Sequence, residues 1–324
     1  MKIKSILNAI IIEVKSQNRI LNFFLDSGCP VSFSKDIHEL TNENIEDTPV
    51  FSLKLGRSMP GVGSLEQLLG IELSGFLGLD FISSFDYFQI NIKEQLITFT
   101  KPDAIDYSLS IVQFAPIMTK IAIETPVNKR MALFDTGAYQ NLILNQRKLQ
   151  NPTMVSSEWI FPSAFGDMIT KYFANVPVYI GEKFVGDFTY GVPSNLPNLT
   201  FDYVIGLNFI SQFITTLDFI HRKIYFTKNM VDDSVLNHFD QDTFYLGFQT
   251  IKKNGNFVVS NVIDPAITKH EVNIGDIIEI ENINDMNSFV KATTSNNTSR
   301  EIHLLVNGIT KVFITQPVFN LVSH

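Results

Sequence analysis

The sequence predicts a mainly β protein built from two copies of one unit, and three observations support this. First, β-branched and aromatic residues dominate, Gly and Pro interrupt the chain at short intervals, and no long helical period is visible. Second, the stretch FFLDSGCPVSFS at Phe23–Ser34 returns in altered form as LFDTGAYQNLIL at Leu133–Leu144. Third, each copy is followed by a further shared stretch, GFLGLDFISSF at Gly75–Phe85 and YVIGLNFISQF at Tyr203–Phe213. Such pairs indicate an internal repeat with a long period.

Two interpretations fit the amino-terminal run MKIKSILNAIIIEV. Two lysines before an apolar run are typical of a signal peptide, but the run from Ile6 to Ile12 is short, Glu13 ends it, and no small-residue cleavage site follows. The β-branched residues favour a strand, followed by a turn and a second strand that ends at Asp26. We therefore expect strands here and a cytoplasmic protein.

Each half closes with a similar pattern. In the first half, apolar residues flank the polar Lys93–Gln95, which predicts a β-hairpin, and in the second half they flank His221–Lys223 in the same way. A different motif, Gly61-Val62-Gly63, lacks the strand-to-helix context of a nucleotide-binding loop and is interpreted as a turn.

Four short motifs resemble those of a known family. They are Asp26-Ser27-Gly28 with Phe76-Leu77-Gly78 in the first half, and Asp135-Thr136-Gly137 with Val204-Ile205-Gly206 in the second. This pairing resembles the aspartic proteases, in particular the retropepsin-like (retroviral-protease-like) family. The resemblance covers about the first two thirds of the chain. It implies a two-lobed acid-protease β-barrel fold of the pepsin or retropepsin type, in a single-chain, duplicated form.

Two carboxylates at one spot can hydrolyse a peptide bond without a metal or a protein nucleophile. Like charges a few ångströms apart cannot both ionise, so a proton shared by Asp26 and Asp135 would leave one as base and the other as acid. The base activates water and the acid protonates the leaving amine. A repeat that places one Asp per lobe at a pseudo-two-fold axis produces this geometry, so these two residues are the predicted catalytic pair.

Six neighbouring residues are predicted to support the two carboxylates: Ser27, Gly28, Thr136, Gly137, Gly78 and Gly206. The glycine next to each Asp motif's hydroxyl residue lacks a Cβ, so the two backbones can approach closely and donate N–H groups. By the resemblance, the hydroxyl residues hydrogen-bond across the lobe junction. The two later glycines would pack beneath the Asp loops, a role that is compatible with an ordinary tight turn.

The second half is longer than the first, and most of its extra residues fall between Asp135 and Gly181. In the resembled family this interval holds the flap, a β-hairpin that closes over the substrate. The segment MVSSEWIFPSAFGDMITKYF at Met154–Phe173 is the candidate, with Gly166-Asp167 as its tip. The residues expected to line the substrate site are Trp159, Phe161, Phe165, Gly166 and Asp167. Alternatively, these aromatic residues fill a core, as aromatics more often do.

From about residue 243 the pattern resembles a PDZ domain. The matching residues are Tyr245-Leu246-Gly247-Phe248, Val258-Val259, Asp264-Pro265-Ala266 and Gly275-Asp276. The resemblance implies that a peptide adds as a strand and that the amides of Leu246, Gly247 and Phe248 hold its terminal carboxylate. Tyr245 replaces the first loop Gly, a departure that puts strong carboxylate binding in doubt. The alternative is a module that packs on the rest of the chain as a structural cap.

Composition excludes several other classes. The net charge of -8 argues against a nucleic-acid partner, and charge interrupts every apolar run before a membrane span is complete. The six histidines show no metal-ligand spacing, so we expect no metal and no other cofactor. The single cysteine, Cys29, lies near Asp26 but has no histidine close in sequence, so a small core residue is favoured over a nucleophile.

The predicted organisation has four parts: an aspartic protease lobe at 1–112, a second lobe with the flap at 113–230, a linker at 231–242 and a PDZ-like domain at 243–324. The predicted function is an aspartic endopeptidase that cleaves a polypeptide substrate lying between the lobes. The alternative is a catalytically inactive peptide-binding scaffold that keeps the protease fold. A third possibility is an enzyme restrained by its PDZ-like domain until a peptide binds there.

Overall fold

A computed structural model gives the architecture. It describes residues 1–7, 9–16, 19–35, 54–55, 62–113, 122–125, 130–144, 154–163, 166–180, 183–195, 201–229, 243–263, 271–296 and 298–321. Most described residues lie in strands, which confirms the prediction of a mainly β protein. The predicted linker at 231–242 lies outside the described residues.

The described part of the first half contains nine strands and two short helices. They are β1 (Ile3–Ile6), β2 (Ala9–Ser16), β3 (Arg19–Leu25), β4 (Phe33–Ser34), β5 (Lys54–Leu55), α1 (Val62–Leu69), β6 (Gly75–Leu77), α2 (Leu79–Ile82), β7 (Tyr87–Asn91), β8 (Leu96–Thr98) and β9 (Tyr107–Gln113). Strands β1 to β6 form a six-stranded sheet in the order β1-β2-β3-β6-β4-β5. The β-branched amino-terminal run forms β2, which pairs antiparallel with β3.

The second half repeats the pattern and includes three strands of ten or more residues. It contains β10 (Ala122–Thr125), β11 (Arg130–Phe134), β12 (Asn141–Ile143), β13 (Met154–Ser163), β14 (Gly166–Ile180), β15 (Lys183–Pro193), β16 (Tyr203–Ile205), α3 (Leu207–Ile210), β17 (Phe213–Asp218) and β18 (Lys223–Lys228). The internal repeat is visible in the pairing, because β3 runs parallel to β6 in the first half and β11 runs parallel to β16 in the second.

The last part of the chain, residues 243–321, is called the C-terminal unit. It contains β19 (Thr243–Tyr245), β20 (Phe248–Lys253), β21 (Asn256–Val262), β22 (Ile277–Glu279), α4 (Met286–Thr293), β23 (Ser295–Asn296), β24 (Glu301–Val306), β25 (Ile309–Ile314), β26 (Gln316–Pro317) and β27 (Phe319–Leu321). Five strands form a sheet in the order β20-β21-β22-β24-β25, so β20 lies at its edge. Asp285 caps α4 by accepting a hydrogen bond from the Ser288 N–H.

The two halves are joined by a sheet to which both contribute. The hairpin β7–β8 and the hairpin β17–β18 pair side by side through β7 and β17, and β18 also pairs with β9. These are the two hairpins expected at the ends of the halves. One hydrophobic cluster runs across the junction and includes the fully buried Phe23 and Phe88 of the first half and Phe134 and Phe226 of the second. The halves therefore share a core rather than folding around separate ones.

The C-terminal unit packs against both halves. Its Phe248 and Phe289 belong to a cluster that also holds Ile11 and Phe76 of the first half. Its last strand, β27, pairs antiparallel with β13 of the second half, with Val155 opposite Asn320. The unit therefore bridges the two halves.

Helix α1 is the main element that the sequence did not reveal. Val62 and Gly63, which were interpreted as part of a turn, begin this helix, so that prediction was wrong. Leu65, Leu68 and Leu69 share one face of α1 and pack into the cluster that contains the C-terminal unit. The helix is therefore supported by contacts with residues nearly two hundred positions away, which a local pattern does not report.

Candidate active site

The two predicted catalytic residues occupy equivalent places in the repeat. Asp26 follows β3 and its N–H donates to the Leu77 carbonyl in β6 at 2.9 Å. Asp135 follows β11 and its N–H donates to the Ile205 carbonyl in β16, also at 2.9 Å. Each Asp thus begins a loop where a strand leaves a parallel pair. Both residues are only half-buried, which leaves the pair within reach of water.

The backbone beside each carboxylate holds it in place. The Gly28 N–H lies 2.8 Å from Asp26 Oδ1 and 3.2 Å from Asp135 Oδ1, so it contacts both carboxyl groups. The Gly137 N–H donates to Asp135 Oδ1 at 2.8 Å. A methyl group on either glycine would collide with the opposite carboxyl group: a Cβ on Gly28 would lie 2.5 Å from Asp135 Oδ2, and one on Gly137 2.4 Å from Asp26 Cγ. Glycine at both positions thus allows the two loops to approach without displacing either carboxyl group.

The hydroxyl residues cross-link the two Asp loops in a symmetric way. The Ser27 N–H donates to Thr136 Oγ1, and the Thr136 N–H donates to Ser27 Oγ, each at 2.9 Å. Each hydroxyl in turn donates to a carbonyl of the other half, Ser27 Oγ to Phe134 O at 3.0 Å and Thr136 Oγ1 to Leu25 O at 3.1 Å. Both side chains are fully buried. These four hydrogen bonds fix the two loops relative to each other.

We expect Thr136→Ala to destabilise the protein by about 1 to 3 kcal/mol. The substitution leaves the buried Ser27 N–H without its acceptor, and an unsatisfied buried group costs roughly its full desolvation penalty. Urea unfolding measures the difference, with Thr136→Ser as the control because it keeps the hydroxyl. Equal stability of the alanine and serine variants would contradict this role.

The two later glycines lie beneath the Asp loops, where their positions had been predicted. A Cβ on Gly78 would lie 2.6 Å from the Cys29 carbonyl oxygen, and one on Gly206 would lie 2.3 Å from the Gln140 carbonyl oxygen. Their N–H groups donate to Ser32 Oγ at 2.8 Å and to Asn141 Oδ1 at 2.9 Å.

Four polar residues that the sequence interpretation did not assign complete this support. Ser32 donates through its N–H and its hydroxyl to Asp80 Oδ1, at 2.8 and 2.6 Å. In the second half, the Asn141 N–H donates to Asn208 Oδ1 at 2.8 Å. The signal was present in the repeat, because Asp80 and Asn208 occupy the same position in GFLGLDF and YVIGLNF.

The environment raises the pKa of Asp26 well above its ordinary value of 3.8. Desolvation is the largest cause, followed by the charge of Asp135 and by a hydrogen bond between the two carboxyl groups. The N–H groups of Cys29 and Gly28 favour the ionised form but do not outweigh these effects. A hydrogen bond between two carboxyl groups needs one proton, so the two groups share one.

We expect Asp26→Asn to stabilise the protein at neutral pH but not at pH 3. Above pH 3.8 the unfolded chain releases a proton that folded Asp26 retains, so the free energy of unfolding falls as the pH rises through the raised pKa. Each unit by which the pKa of Asp26 is higher in the folded than in the unfolded protein lowers the free energy of unfolding by about 1.4 kcal/mol. Asparagine does not titrate, so the substitution removes this cost. Thermal unfolding at pH 3 and at pH 7 tests this prediction. Asp103→Asn, the same substitution at an exposed position, is the control. A melting temperature at pH 7 no higher than that of the control would contradict it.

Cys29 is a poor nucleophile in this setting. Burial, followed by the charge of Asp26, raises the pKa of its thiol to about 12. The thiol donates to the Val31 carbonyl at 3.3 Å. A thiol in this state stays protonated at neutral pH, which fits a small core residue.

The segment predicted as a flap forms the long hairpin β13–β14. Its pairing continues to Pro162 opposite Asp167 and Ser163 opposite Gly166, so the predicted tip at Gly166-Asp167 is wrong. Both residues lie in β14. Gly-Asp is a common turn pair, but strand pairing overrides that local preference here. Phe165 lies outside the described residues.

One face of the hairpin packs on the protein and is largely apolar. Trp159 pairs with Thr170 and Phe161 with Met168, so these four side chains point to the same side. This inner face lies on the loop that begins at Asp135: Met168 packs against the same hydrophobic cluster as Ala138, and the Phe161 ring stacks on Tyr139 with centroids 6.1 Å apart. The opposite face carries an ion pair between Lys171 and Glu158. Trp159 and Phe161 therefore face the protein rather than the solvent.

The predicted carboxylate-binding loop of the C-terminal unit lies between β19 and β20. Gly247 has a φ of 83°, which favours glycine, and its carbonyl accepts from the Ile263 N–H at 2.9 Å. Leu246 and Phe248 are buried in the cluster shared with the first half.

The described residues contain neither a cluster of metal ligands nor a membrane-spanning helix. Among the described residues, no group of three or more His, Cys, Asp or Glu side chains lies close enough to hold a metal ion. Within the same residues, no helix is long and apolar enough to cross a membrane.

The chain is similar to a known structure but matches no known protein family. No protein-family model matches the chain, and no curated protein matches it. A solved structure, the crystal structure of aspartic proteinase from Irpex lacteus, is similar over 73% of this chain and 98% of its own, with 11% sequence identity and a TM-score of 0.45.

Proposed function

We propose that this protein is an aspartic endopeptidase with a pepsin- or retropepsin-like two-lobed fold, and that Asp26 and Asp135 are its catalytic residues. The observation that carries the proposal is the Gly28 N–H in contact with both carboxyl groups, at 2.8 and 3.2 Å. One donor can bridge two side chains only if they share a site. Two half-buried carboxyl groups that share one proton have the composition needed to activate water and to protonate a leaving amine.

The mechanism follows from the protonation of the pair. The ionised carboxylate takes a proton from a water molecule as the water oxygen attacks the peptide carbonyl, and the protonated carboxyl group donates its proton to the carbonyl oxygen. When the tetrahedral intermediate collapses, the C–N bond breaks and the nitrogen takes a proton from one carboxyl group of the pair, while a hydroxyl of the intermediate returns its proton to the other as the C=O bond re-forms. One proton thus remains on the pair at the end of the cycle, so the two groups titrate together and not as independent residues.

The hairpin β13–β14 would serve as the flap of this endopeptidase. Its apolar inner face lies over the loop that begins at Asp135, with Phe161 on Tyr139. A substrate held between that face and the carboxyl groups would be shielded from bulk water, which strengthens the electrostatic interactions of the reaction. The substrate is therefore a peptide in extended form with apolar side chains.

The C-terminal unit is proposed to be PDZ-like. The edge strand β20 and helix α4 would form the two sides of its groove, and the loop at Leu246, Gly247 and Phe248 its closed end. Helix α1 packs near this groove, since a Cβ on Gly70 would lie 2.9 Å from the Lys252 side chain and 3.1 Å from that of Met286. We therefore favour a unit that serves as a structural cap over one that recruits a separate peptide.

Cleavage of an unfolded protein mixture tests the function directly. The full chain is incubated from pH 3 to pH 8, and the cut sites are identified by mass spectrometry. We expect cleavage with a bell-shaped pH dependence, and a loss of about 10³-fold in rate for Asp135→Asn and for Asp26→Asn. No cleavage by well-folded parent protein at any pH would overturn the proposal and leave a peptide-binding scaffold as the better account.

A further inference from the structure

A cavity of about 110 Å³ lies where all three parts of the chain meet. The long hairpin contributes Trp159 and Phe161, and the C-terminal unit contributes residues of β20 and α4, including Val290. The first half contributes Leu7 and Leu68. No single part of the chain could form this cavity alone.

The cavity shares one wall residue, Tyr139, with the loop of the candidate active site. This residue lies four positions after Asp135 in the same loop, and it lines the cavity. Its ring stacks on Phe161, which lies on the inner face of the hairpin. The cavity thus lies between that inner face and the C-terminal unit.

The walls select for an apolar group. Among the fifteen described residues that line the cavity, none carries a charge. Three of the polar side chains there are engaged elsewhere: Thr293 and Thr294 donate to carbonyl groups of their own helix, and Gln249 bonds the backbone of Ile160. A charged group placed here would lose its hydration without gaining a partner. The volume is smaller than the 150 Å³ of a cavity that accepts benzene, so it suits a branched aliphatic group better than an aromatic ring.

Several contacts fix these walls in place. The Gln249 side chain accepts from the Ile160 N–H and donates to the Ile160 carbonyl, both at 3.0 Å. The Asn287 side chain of α4 does the same for the first half, accepting from the Leu7 N–H at 2.8 Å and donating to the Ser5 carbonyl at 3.0 Å. The Trp159 and Tyr245 rings pack with centroids 5.1 Å apart. The cavity is therefore preformed, and a ligand that enters it pays little to order its walls.

We infer that this cavity is a substrate subsite which binds one branched aliphatic side chain, such as leucine, of the peptide, and that the C-terminal unit helps to determine cleavage specificity. The inference rests on the proposed function, because it takes the bound peptide to be the substrate. The C-terminal unit would then bind substrate in addition to acting as a structural cap.

Trp159 is the only tryptophan of the chain and lines the cavity, so its fluorescence reports on occupancy. The probes are eight-residue Ala/Gly/Ser peptides with a single leucine, moved through the positions, and matched peptides with glutamate in its place. They are titrated into full-length Asp135→Asn protein, which does not cleave them. We expect a saturable change in emission for leucine at one position and none for glutamate.

Variants of Val290 test whether this response comes from the cavity. Val290→Phe fills the space and should weaken leucine binding about 10- to 100-fold. Val290→Ala enlarges it without overpacking and should shift the preference from leucine toward phenylalanine. Val312→Phe makes the same substitution at an exposed position of the C-terminal unit and should behave like the parent. Equal leucine affinity in all three variants would overturn the subsite.

The same variants, made in the parent protein that keeps Asp135, separate this inference from the proposed function. If the parent cleaves proteins but Val290→Phe leaves the cut-site preference unchanged, the subsite is wrong and the endopeptidase stands. If leucine peptides bind beside Trp159 but the parent cleaves neither them nor unfolded proteins, the proposed function fails and the cavity is not a substrate subsite.

Discussion

Gly28→Ala is expected to lower kcat/KM for peptide cleavage by about 10²-fold or more, with little change in stability. The added methyl carbon would lie 2.5 to 2.6 Å from three atoms of the Asp135 carboxyl group. That carboxyl group is the end of a side chain and can rotate away, so the protein still folds. The rotation separates the two carboxyl groups, and a misplacement of about 1 Å can cost 10²-fold in rate. Steady-state kinetics on a cleaved peptide measures the effect.

Gly63→Ala is the matched control for this substitution. Gly63 lies in α1 and a Cβ there would have no atom within 4 Å, so the same chemical change meets open space. It should leave kcat/KM unchanged and raise the free energy of unfolding by about 0.5 to 1 kcal/mol, because alanine favours a helix over glycine. A Gly28→Ala variant as active as Gly63→Ala would show that the close approach of the two loops is not needed for catalysis.

Gly206→Ala is expected to have the largest effect on stability, about 3 kcal/mol. Its Cβ would lie 2.3 Å from the Gln140 carbonyl oxygen and 2.7 Å from the Ala138 carbonyl oxygen. Both are backbone atoms, which cannot rotate away as a side chain can. Either the loop after Asp135 must shift or the Gly206 N–H must give up its bond to Asn141, and overpacking of this kind typically costs 1 to 3 kcal/mol or more.

Urea unfolding at pH 7 tests this second prediction. Gly63→Ala again provides the comparison, and the m value shows whether unfolding remains cooperative. A loss below about 1 kcal/mol would mean that the loop adapts to the extra methyl group without strain. In that case the packing beneath the Asp loops could not be the reason for glycine at this position.

The repeat made the centre of the site predictable from the sequence. Asp26 and Asp135 could be paired because two copies of one motif imply two equivalent loops, and the small residues beside them imply a close approach. The supporting hydrogen bonds of Asp80 and Asn208 were also encoded in the repeat, but only the folded chain reveals which polar atoms meet.

Other features depend on contacts between distant residues and were not predictable in the same way. Helix α1 is stabilised by its packing against the C-terminal unit, so its local sequence gave no clear signal. The tip of the hairpin was misplaced because register is set by the whole ladder from Met154 to Ser163 and not by the Gly-Asp pair alone. The addition of β27 to β13 joins residues more than a hundred and sixty positions apart. The cavity at Trp159 depends on all of these contacts.

The titration of the Asp26 carboxyl group tests the shared proton most directly. Protein labelled with ¹³C at the Asp carboxyl carbons is followed by NMR from pH 2 to pH 8, with Asp26→Asn used to assign the signal. We predict that Asp26 titrates well above pH 3.8 in the parent. Its pKa should fall in Asp135→Asn, since the charge of Asp135 is removed, while desolvation keeps it above the ordinary value. An Asp26 carboxyl group that titrates near 3.8 in the parent, or is unaffected by Asp135→Asn, would contradict a catalytic pair.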